Sequence, residues 1–186
     1  MREERNLKIL QEYGEILSEK TEKSDWIEWK HVSRGESHCP VCLSLDKCWF
    51  VETIMPILPQ HPHCHCTKKY ISESVVKAGI KVDGDIRKFT EYLFIREKSL
   101  GKFDMFKSWG YTMSDSEVLL DEYKKQAALK YANGDYKLAK LDIYGQCIAI
   151  DTILPKKSSS EYAYFKSGWL VCPNGKLHFA TPYADA

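Results

Sequence analysis

The chain has 186 residues, of which 44% are hydrophobic and 28% charged, with 27 Lys and Arg against 26 Asp and Glu. This composition suits one ordinary domain or two small ones with a hydrophobic core, and it excludes a strongly basic nucleic-acid-binding chain and an acidic disordered one. No stretch approaches the roughly 18 apolar residues of a membrane span, and the N-terminus lacks an apolar signal core. We therefore expect a cytoplasmic protein with no membrane association.

The N-terminal segment predicts an amphipathic helix. Leu10, Tyr13 and Leu17 recur at the spacing of one helical face, and charged residues occupy most positions between them. We assign this helix to residues 1–25. Its single apolar face is expected to pack on the rest of the chain or on a partner.

A short strand and a loop-rich segment follow. Alternation over residues 26–32 predicts a strand with Ile27, Trp29 and His31 on one face. Residues 33–66 contain four prolines and no apolar periodicity. Because apolar packing alone does not stabilise such a stretch, it needs another source of stability, which a bound metal can supply.

Cysteine and histidine are concentrated in the same part of the chain. Five of the seven cysteines and five of the six histidines lie within residues 31–66. In a chain without a signal peptide, such clustering indicates a metal site rather than a disulfide framework. The alternative is a group of reduced, buried thiols with surface imidazoles nearby.

The spacing of these residues favours zinc. Cys39 and Cys42 form a CxxC turn, and Cys64 and Cys66 form a CxC pair after 21 intervening residues. Both arrangements can bring two thiolates to one tetrahedral ion. His61 is the rival for the fourth position, which would leave either Cys64 or Cys66 outside the shell. We predict a structural ion, because no nearby acid stands in a catalytic spacing and a thiolate-rich shell lowers Lewis acidity.

The pattern changes after the Cys/His segment. Residues 71–85 carry two glycines among charged residues and predict a connector. Two short helices are then expected at residues 88–95 and 102–111, with Gly110 as the C-cap of the second.

A longer helix is predicted next. Ser114 and Glu117 fit a capping box, and the helical pattern runs to about Tyr131, where Asn133 and Gly134 end it. The apolar face of this helix is expected to comprise Val118, Leu119, Tyr123 and Ala127.

Four strands complete the chain, and they are predicted at residues 137–144, 146–154, 162–172 and 176–183. The sequence Pro173-Asn174-Gly175 favours a hairpin between the last two. Helices followed by an antiparallel sheet make the fold class α+β. We expect a metal module over residues 26–70 and an α+β domain over residues 86–186.

The Cys/His segment resembles a known family. The runs Cys39–Phe50 and His61–Thr67 are similar to the C-terminal signature of the phage Mu F-like head morphogenesis (minor head) proteins, roughly CPxC, a Leu-Asp-Gly segment and HPxCRCT. Lys47 stands where that signature usually has Gly, and His65 where it usually has Arg. The resemblance covers about residues 26–70. It implies a phage or prophage origin, portal or capsid proteins as partners, and association with the virion.

The second half resembles an uncharacterised domain that is often attached to Mu F-like or polymorphic-toxin proteins. The shared landmarks are mostly aromatic residues and glycines: Phe89–Leu93, Gly101–Phe103, Phe106, Trp109–Tyr111, Tyr144–Gly145, Gly168–Trp169 and Thr181–Pro182. Helices followed by a four-stranded antiparallel sheet are similar to the barnase–EndoU–colicin–RelE ribonuclease superfamily. This resemblance implies a ribonuclease toxin, with RNA as substrate and a cognate immunity protein as partner.

Metal-free RNA cleavage requires a general base, a general acid and cations near the phosphate. His178 is the one histidine outside the Cys/His segment, and Lys102, Lys140 and Lys166 could hold phosphate. Thr181 completes the candidate catalytic set. His178 and Thr181 face opposite sides of a regular strand, so they share a cleft only if the strand bulges or ends between them.

Three functions remain open at this point. The first is a phage-head-linked effector, in which a zinc-stabilised module carries a ribonuclease domain. The second is a non-enzymatic minor head or interaction protein that docks on a portal or capsid partner. The third is a zinc-dependent hydrolase.

Overall fold

A small antiparallel sheet begins the structure, which is a computed structural model describing residues 24–33, 39–99 and 101–183. Its strand order is β2-β1-β3, with β1 at Trp26–Lys30, β2 at Trp49–Val51 and β3 at Thr67–Tyr70. The predicted strand over residues 26–32 is thus confirmed. The predicted N-terminal helix lies almost entirely outside the described residues.

Helix α1, Pro40–Ser44, lies between β1 and β2. Proline suits the first helical position, because its missing N–H would have no intrahelical partner there. After the helix the chain reverses at Lys47, whose φ of 62° lies in the left-handed region. The Lys47 N–H donates to the Trp29 carbonyl at 2.8 Å, which fastens the α1 turn to the end of β1.

The larger sheet has five strands in the order β4-β8-β7-β6-β5. The four predicted strands are present as β5 at Lys137–Asp142, β6 at Gly145–Pro155, β7 at Tyr162–Cys172 and β8 at Lys176–Thr181. These four pair in antiparallel fashion, and the fifth, β4 at Lys81–Asp83, pairs parallel to β8. The fold is α+β.

The segment predicted as a connector has regular structure. Helix α2, Glu73–Gly79, follows Ser72, whose hydroxyl accepts from the Val75 N–H. Strand β4 then adds an edge to the larger sheet. Residues 71–85 therefore join the two sheets through packed elements, not through a loop.

Short helices precede the long one. A π-helical turn covers Lys88–Leu93, α3 covers Arg96–Ser99 and α4 covers Gly101–Ser108. The first and the last agree with the two predicted helices, and α3 lies between them. Gly110 follows α4 with a φ of 86°, as expected of a glycine at a helix C-terminus.

Helix α5, Ser116–Ala132, packs on the larger sheet and differs from the prediction at two points. The capping box is formed by Thr112 and Asp115 around a 3-10 turn, not by Ser114 and Glu117. Val118 is 72% exposed, so its predicted place on the apolar face is wrong, because one helical step from Leu119 rotates it toward solvent. The buried face instead comprises Leu119, Leu120, Tyr123, Ala127 and Tyr131.

The two sheets share one hydrophobic core. The Cys48 thiol contacts the Val171 carbonyl at 3.5 Å, and the Val51 N–H donates to the Tyr136 hydroxyl at 2.9 Å. Gly175, with a φ of 74°, lies so close to Trp49 that a Cβ there would be 2.5 Å from the indole. The Cys/His segment is therefore mounted on the larger domain. Within the described part of the chain, no helix is long and apolar enough to span a bilayer.

Candidate metal centre

Two turns bring the candidate ligands together. In the first, Cys39 is the N-cap of α1 and Cys42 lies within that helix, where it is 1% exposed. One helical turn separates the two sulfurs, which is why a CxxC at a helix start can place both on one ion. The Leu43 N–H donates to the Cys39 carbonyl at 2.9 Å and closes the turn.

The second turn leads into β3. The Cys64 N–H donates to the His61 carbonyl at 3.1 Å, and His63 adopts a φ of 63° at the tip of this turn. The reversal directs His61 and Cys64 toward α1, and Cys66 stands directly before β3. The side chains of His63 and His65 are exposed.

The donor atoms of the two turns form a cluster. The Cys42 sulfur is 3.3 Å from His61 Nε2 and 3.8 Å from the Cys64 sulfur. Two sulfurs bound at about 2.3 Å to one tetrahedral ion are separated by about 3.8 Å, so this spacing matches such a site. Two triads, Cys39–Cys42–His61 and Cys42–Cys64–Cys66, each have all donor atoms within 4.8 Å. The cluster could hold a metal ion, and Cys42 belongs to both triads.

The electrostatics of the cluster differ from one thiol to the next. Burial, followed by the neighbouring sulfurs of Cys39, Cys64 and Cys66, raises the pKa of Cys42. Hydrogen bonding from the Cys42 backbone lowers the pKa of Cys39. At Cys64 burial opposes ionisation, but backbone and thiol hydrogen bonds outweigh it and lower the pKa to about 7. Two thiols are thus disposed to ionise beside a third that needs a nearby cation to do so.

The cluster lines a cavity of about 400 Å³ that also contains a residue absent from the predicted ligands. His31, just beyond β1, places Nδ1 3.5 Å from the Cys66 sulfur. The alternation of β1 put His31 on the face of Ile27 and Trp29. The pairing of β1 with β3, which brings it to Cys66, is a non-local contact that the sequence pattern does not specify.

The predicted catalytic residues lie in several different places. Lys102 Nζ donates to the Tyr183 carbonyl at 3.1 Å, and the Thr181 hydroxyl donates to the same carbonyl at 3.0 Å. Lys102 and Thr181 are therefore brought together, and both bind the backbone of the segment after β8. Lys140 pairs with Asp142 at 2.9 Å on the edge strand β5. Lys166 lines a separate cavity of about 490 Å³ on the larger sheet.

His178 lies at the β4–β8 edge. Its Nδ1 is 2.6 Å from Asp83 Oδ1, and Asp83 Oδ2 is 2.6 Å from Lys176 Nζ. The cavity beside it, about 420 Å³, is lined by Asp83, Gly84, Asp85, Ile86, Leu120 and His178, and by none of the other four candidates.

A register shift between β7 and β8 provides the bulge on which the catalytic prediction depended. Gly168 is opposite Thr181, whereas Trp169 is opposite Phe179, so Ala180 is the extra residue. Even with this bulge, the Thr181 hydroxyl is bonded to the Tyr183 carbonyl.

Comparisons with models of protein families, with curated proteins and with solved structures found no match.

Proposed function

We propose that this protein is a zinc protein, in which one structural ion ties the α1 turn to the turn before β3. The observation that carries the proposal is the pair of Cys/His triads that share Cys42. Thiolate and imidazole donors at tetrahedral spacing are the preferred environment of zinc, whereas magnesium and calcium select oxygen.

The composition of the cavity favours a structural ion. A catalytic zinc keeps one position for water and usually has a carboxylate nearby as base. Among the described residues, those lining this cavity include three histidines beyond His61 and no Asp or Glu. The donors are sufficient to close the shell of an ion without water, which is typical of structural zinc.

The ion would stabilise a segment that has little other support. Between β2 and β3 the described chain contains one 3-10 turn, Glu52–Ile54, and no longer helix or strand. A ligand that binds only the folded chain contributes its binding free energy to folding. Zinc would therefore hold the turn at His61 and Cys64 against α1.

A chelator tests this function directly. In the wild-type chain, zinc removal should lower the thermal midpoint by several degrees, because binding to the folded state alone stabilises it. Cys42→Ser should begin at the lower midpoint and show no further change with the chelator. Cys172→Ser, which replaces a cysteine outside the cluster, should behave as the wild type does. A wild-type midpoint that the chelator does not alter would contradict the proposal.

The biological setting that we propose is a phage head. The resemblance of residues 26–70 to the Mu F-like minor head proteins supports it, and the larger domain would then be presented to portal or capsid proteins. Co-purification with a portal protein expressed from the same genome tests this setting. If the two proteins do not form a complex in that experiment, the result would contradict the proposed phage-head setting.

Ribonuclease activity is the second candidate function, and the His178–Asp83 pair is the observation that favours it. A carboxylate on one imidazole nitrogen orients the ring and leaves the other nitrogen for proton transfer. Lys176 adds a cation beside the pair. Purified chain should then cleave total RNA, and His178→Ala should abolish cleavage while Lys140→Ala retains it. Equal activity of the wild type and His178→Ala would exclude a catalytic role for His178. A cognate immunity protein is expected only if the chain cleaves RNA.

A further inference from the structure

The candidate centre has more donors than a tetrahedral ion uses. Three thiolates of the cluster are within reach of Cys42, and His61 adds an imidazole, so five side chains compete for four positions. The hydrogen bonds around the site distinguish among them. The Cys66 sulfur lies within 4.8 Å of the Cys42 and Cys64 sulfurs, but it also contacts the imidazole of His31, which is not one of the five donors.

His61 is oriented as metal-binding histidines usually are. Its Nδ1 is 2.8 Å from the Pro62 carbonyl, and since a carbonyl oxygen only accepts, this nitrogen carries the ring proton. In the neutral ring the lone pair is then on Nε2, which is the atom 3.3 Å from the Cys42 sulfur. A backbone carbonyl that fixes the tautomer in this way is a common partner of a ligating imidazole.

Cys66 is positioned by the smaller sheet. Strands β1 and β3 pair Ile27 with Tyr70 and Lys30 with Thr67, so the next opposed pair along the ladder is His31 and Cys66. The 3.5 Å contact between His31 Nδ1 and the Cys66 sulfur continues that register across the end of the sheet. Cys64 lies two residues before Cys66 in the chain, and its sulfur is 3.8 Å from that of Cys42.

We propose that Cys39, Cys42, His61 and Cys64 bind the ion, and that Cys66 stays outside the shell as the hydrogen-bonding partner of His31. This inference rests on the proposed zinc function and makes it more specific. The His31–Cys66 pair fastens the end of the smaller sheet beside the ion. His31 is thereby a positioning residue, and the centre has three sulfurs and one nitrogen.

X-ray absorption at the zinc edge of the full wild-type chain tests the shell without any substitution. We expect three sulfurs at about 2.3 Å and one nitrogen at about 2.0–2.1 Å. Four sulfurs with no nitrogen would overturn the ligand assignment and leave the zinc function intact. A chain that binds no zinc would overturn both, so the two failures are distinguishable.

A matched pair of variants tests the excluded thiol. Cys66→Ser should bind zinc within about threefold of the wild-type affinity and keep the same absorption spectrum, since serine can still hydrogen-bond to His31. Cys64→Ser should weaken zinc binding by about a hundredfold or more, because it removes a direct ligand. Loss of a residue that only hydrogen-bonds to a ligand typically weakens binding by about 10- to 100-fold. Circular dichroism of the zinc-loaded variants verifies folding. Equal losses in both variants would contradict the proposal.

Discussion

At the scale of single residues, Cys42 combines burial with the close approach of other sulfurs. Its thiol is buried among three other sulfurs, which raises its pKa, and it belongs to both candidate ligand triads. A thiol in this position ionises only when a cation compensates for the lost hydration and the nearby negative charge. Cys42 is therefore both a candidate ligand and a buried packing residue of α1.

Lys47 shows how the backbone accommodates a residue in the left-handed region. Its φ is 62°, and both of its peptide groups are used: the N–H donates to Trp29 and the carbonyl accepts from Asn174. Glycine adopts this conformation without strain, whereas a β-branched residue is strongly disfavoured there.

The consequence is a ranking of substitutions at Lys47. We expect Lys47→Val to lower the free energy of unfolding by about 1–2 kcal/mol. Lys47→Gly should leave it unchanged or raise it by up to about 1 kcal/mol, because relief of strain is offset by the greater freedom of glycine in the unfolded chain. Urea unfolding of the zinc-loaded proteins measures both values. Equal stability of the two variants would be inconsistent with a left-handed turn.

At the scale of elements, Asp115 supports the 3-10 turn, Met113–Asp115, that leads into α5. Its Oδ2 accepts from the Thr112 N–H at 2.9 Å, and its Oδ1 pairs with Lys157 at 2.8 Å. The hydrogen bond from Lys157, followed by that from Thr112, lowers the pKa of Asp115. One carboxylate thus closes the capping box of the 3-10 turn that leads into α5, and it links this turn to the loop between β6 and β7.

This arrangement makes the contribution of Asp115 dependent on pH. A lowered folded-state pKa means that the stabilisation is complete above the unfolded value of about 3.9 and is lost as the pH falls through the folded value. Asp115→Ala should therefore lower the unfolding free energy by about 1 kcal/mol at pH 7. The difference between wild type and variant should shrink toward pH 2. Urea unfolding at pH 7 and near pH 2 measures this difference in unfolding free energy. A difference that does not change with pH would contradict the capping role of Asp115.

Most elements of the larger domain could be predicted because their signals are local. The alternation of β6 and β7 and the Asn174-Gly175 turn require only neighbouring residues. Strand β4 was missed because three residues beside a glycine carry no periodicity, and its parallel pairing with β8 is non-local. The capping box was misplaced because two overlapping pairs, one beginning at Thr112 and the other at Ser114, fit the same pattern.

The candidate site likewise has features that local sequence predicts and features that depend on non-local contacts. The CxxC turn and the CxC pair indicate a metal from spacing alone, and the structure brings both turns together. His31 could not be assigned to this site from its spacing, because its approach to Cys66 depends on the register between β1 and β3. The predicted catalytic residues depended on cleft geometry, and the structure places Lys102 and Thr181 on a backbone carbonyl.

At the scale of the whole molecule, the Cys/His segment and the larger domain are joined by a continuous core. Trp49 of the smaller sheet packs on Gly175, and the hydroxyl of Tyr131 on α5 donates to the Trp49 carbonyl. Because the packing is shared, we expect the two parts to unfold together. A metal ion bound by the Cys/His segment would therefore stabilise the larger domain as well, even though none of the candidate ligands belongs to that domain.

Elemental analysis of the purified chain tests the central claim most directly, when it is combined with quantification of the protein. After dialysis against metal-free buffer, we expect about one zinc per chain in the wild type and in Cys172→Ser. Cys42→Ser should retain far less, because it removes the ligand that both triads share. A wild-type chain that is folded and contains far less than one equivalent of any metal would contradict the account.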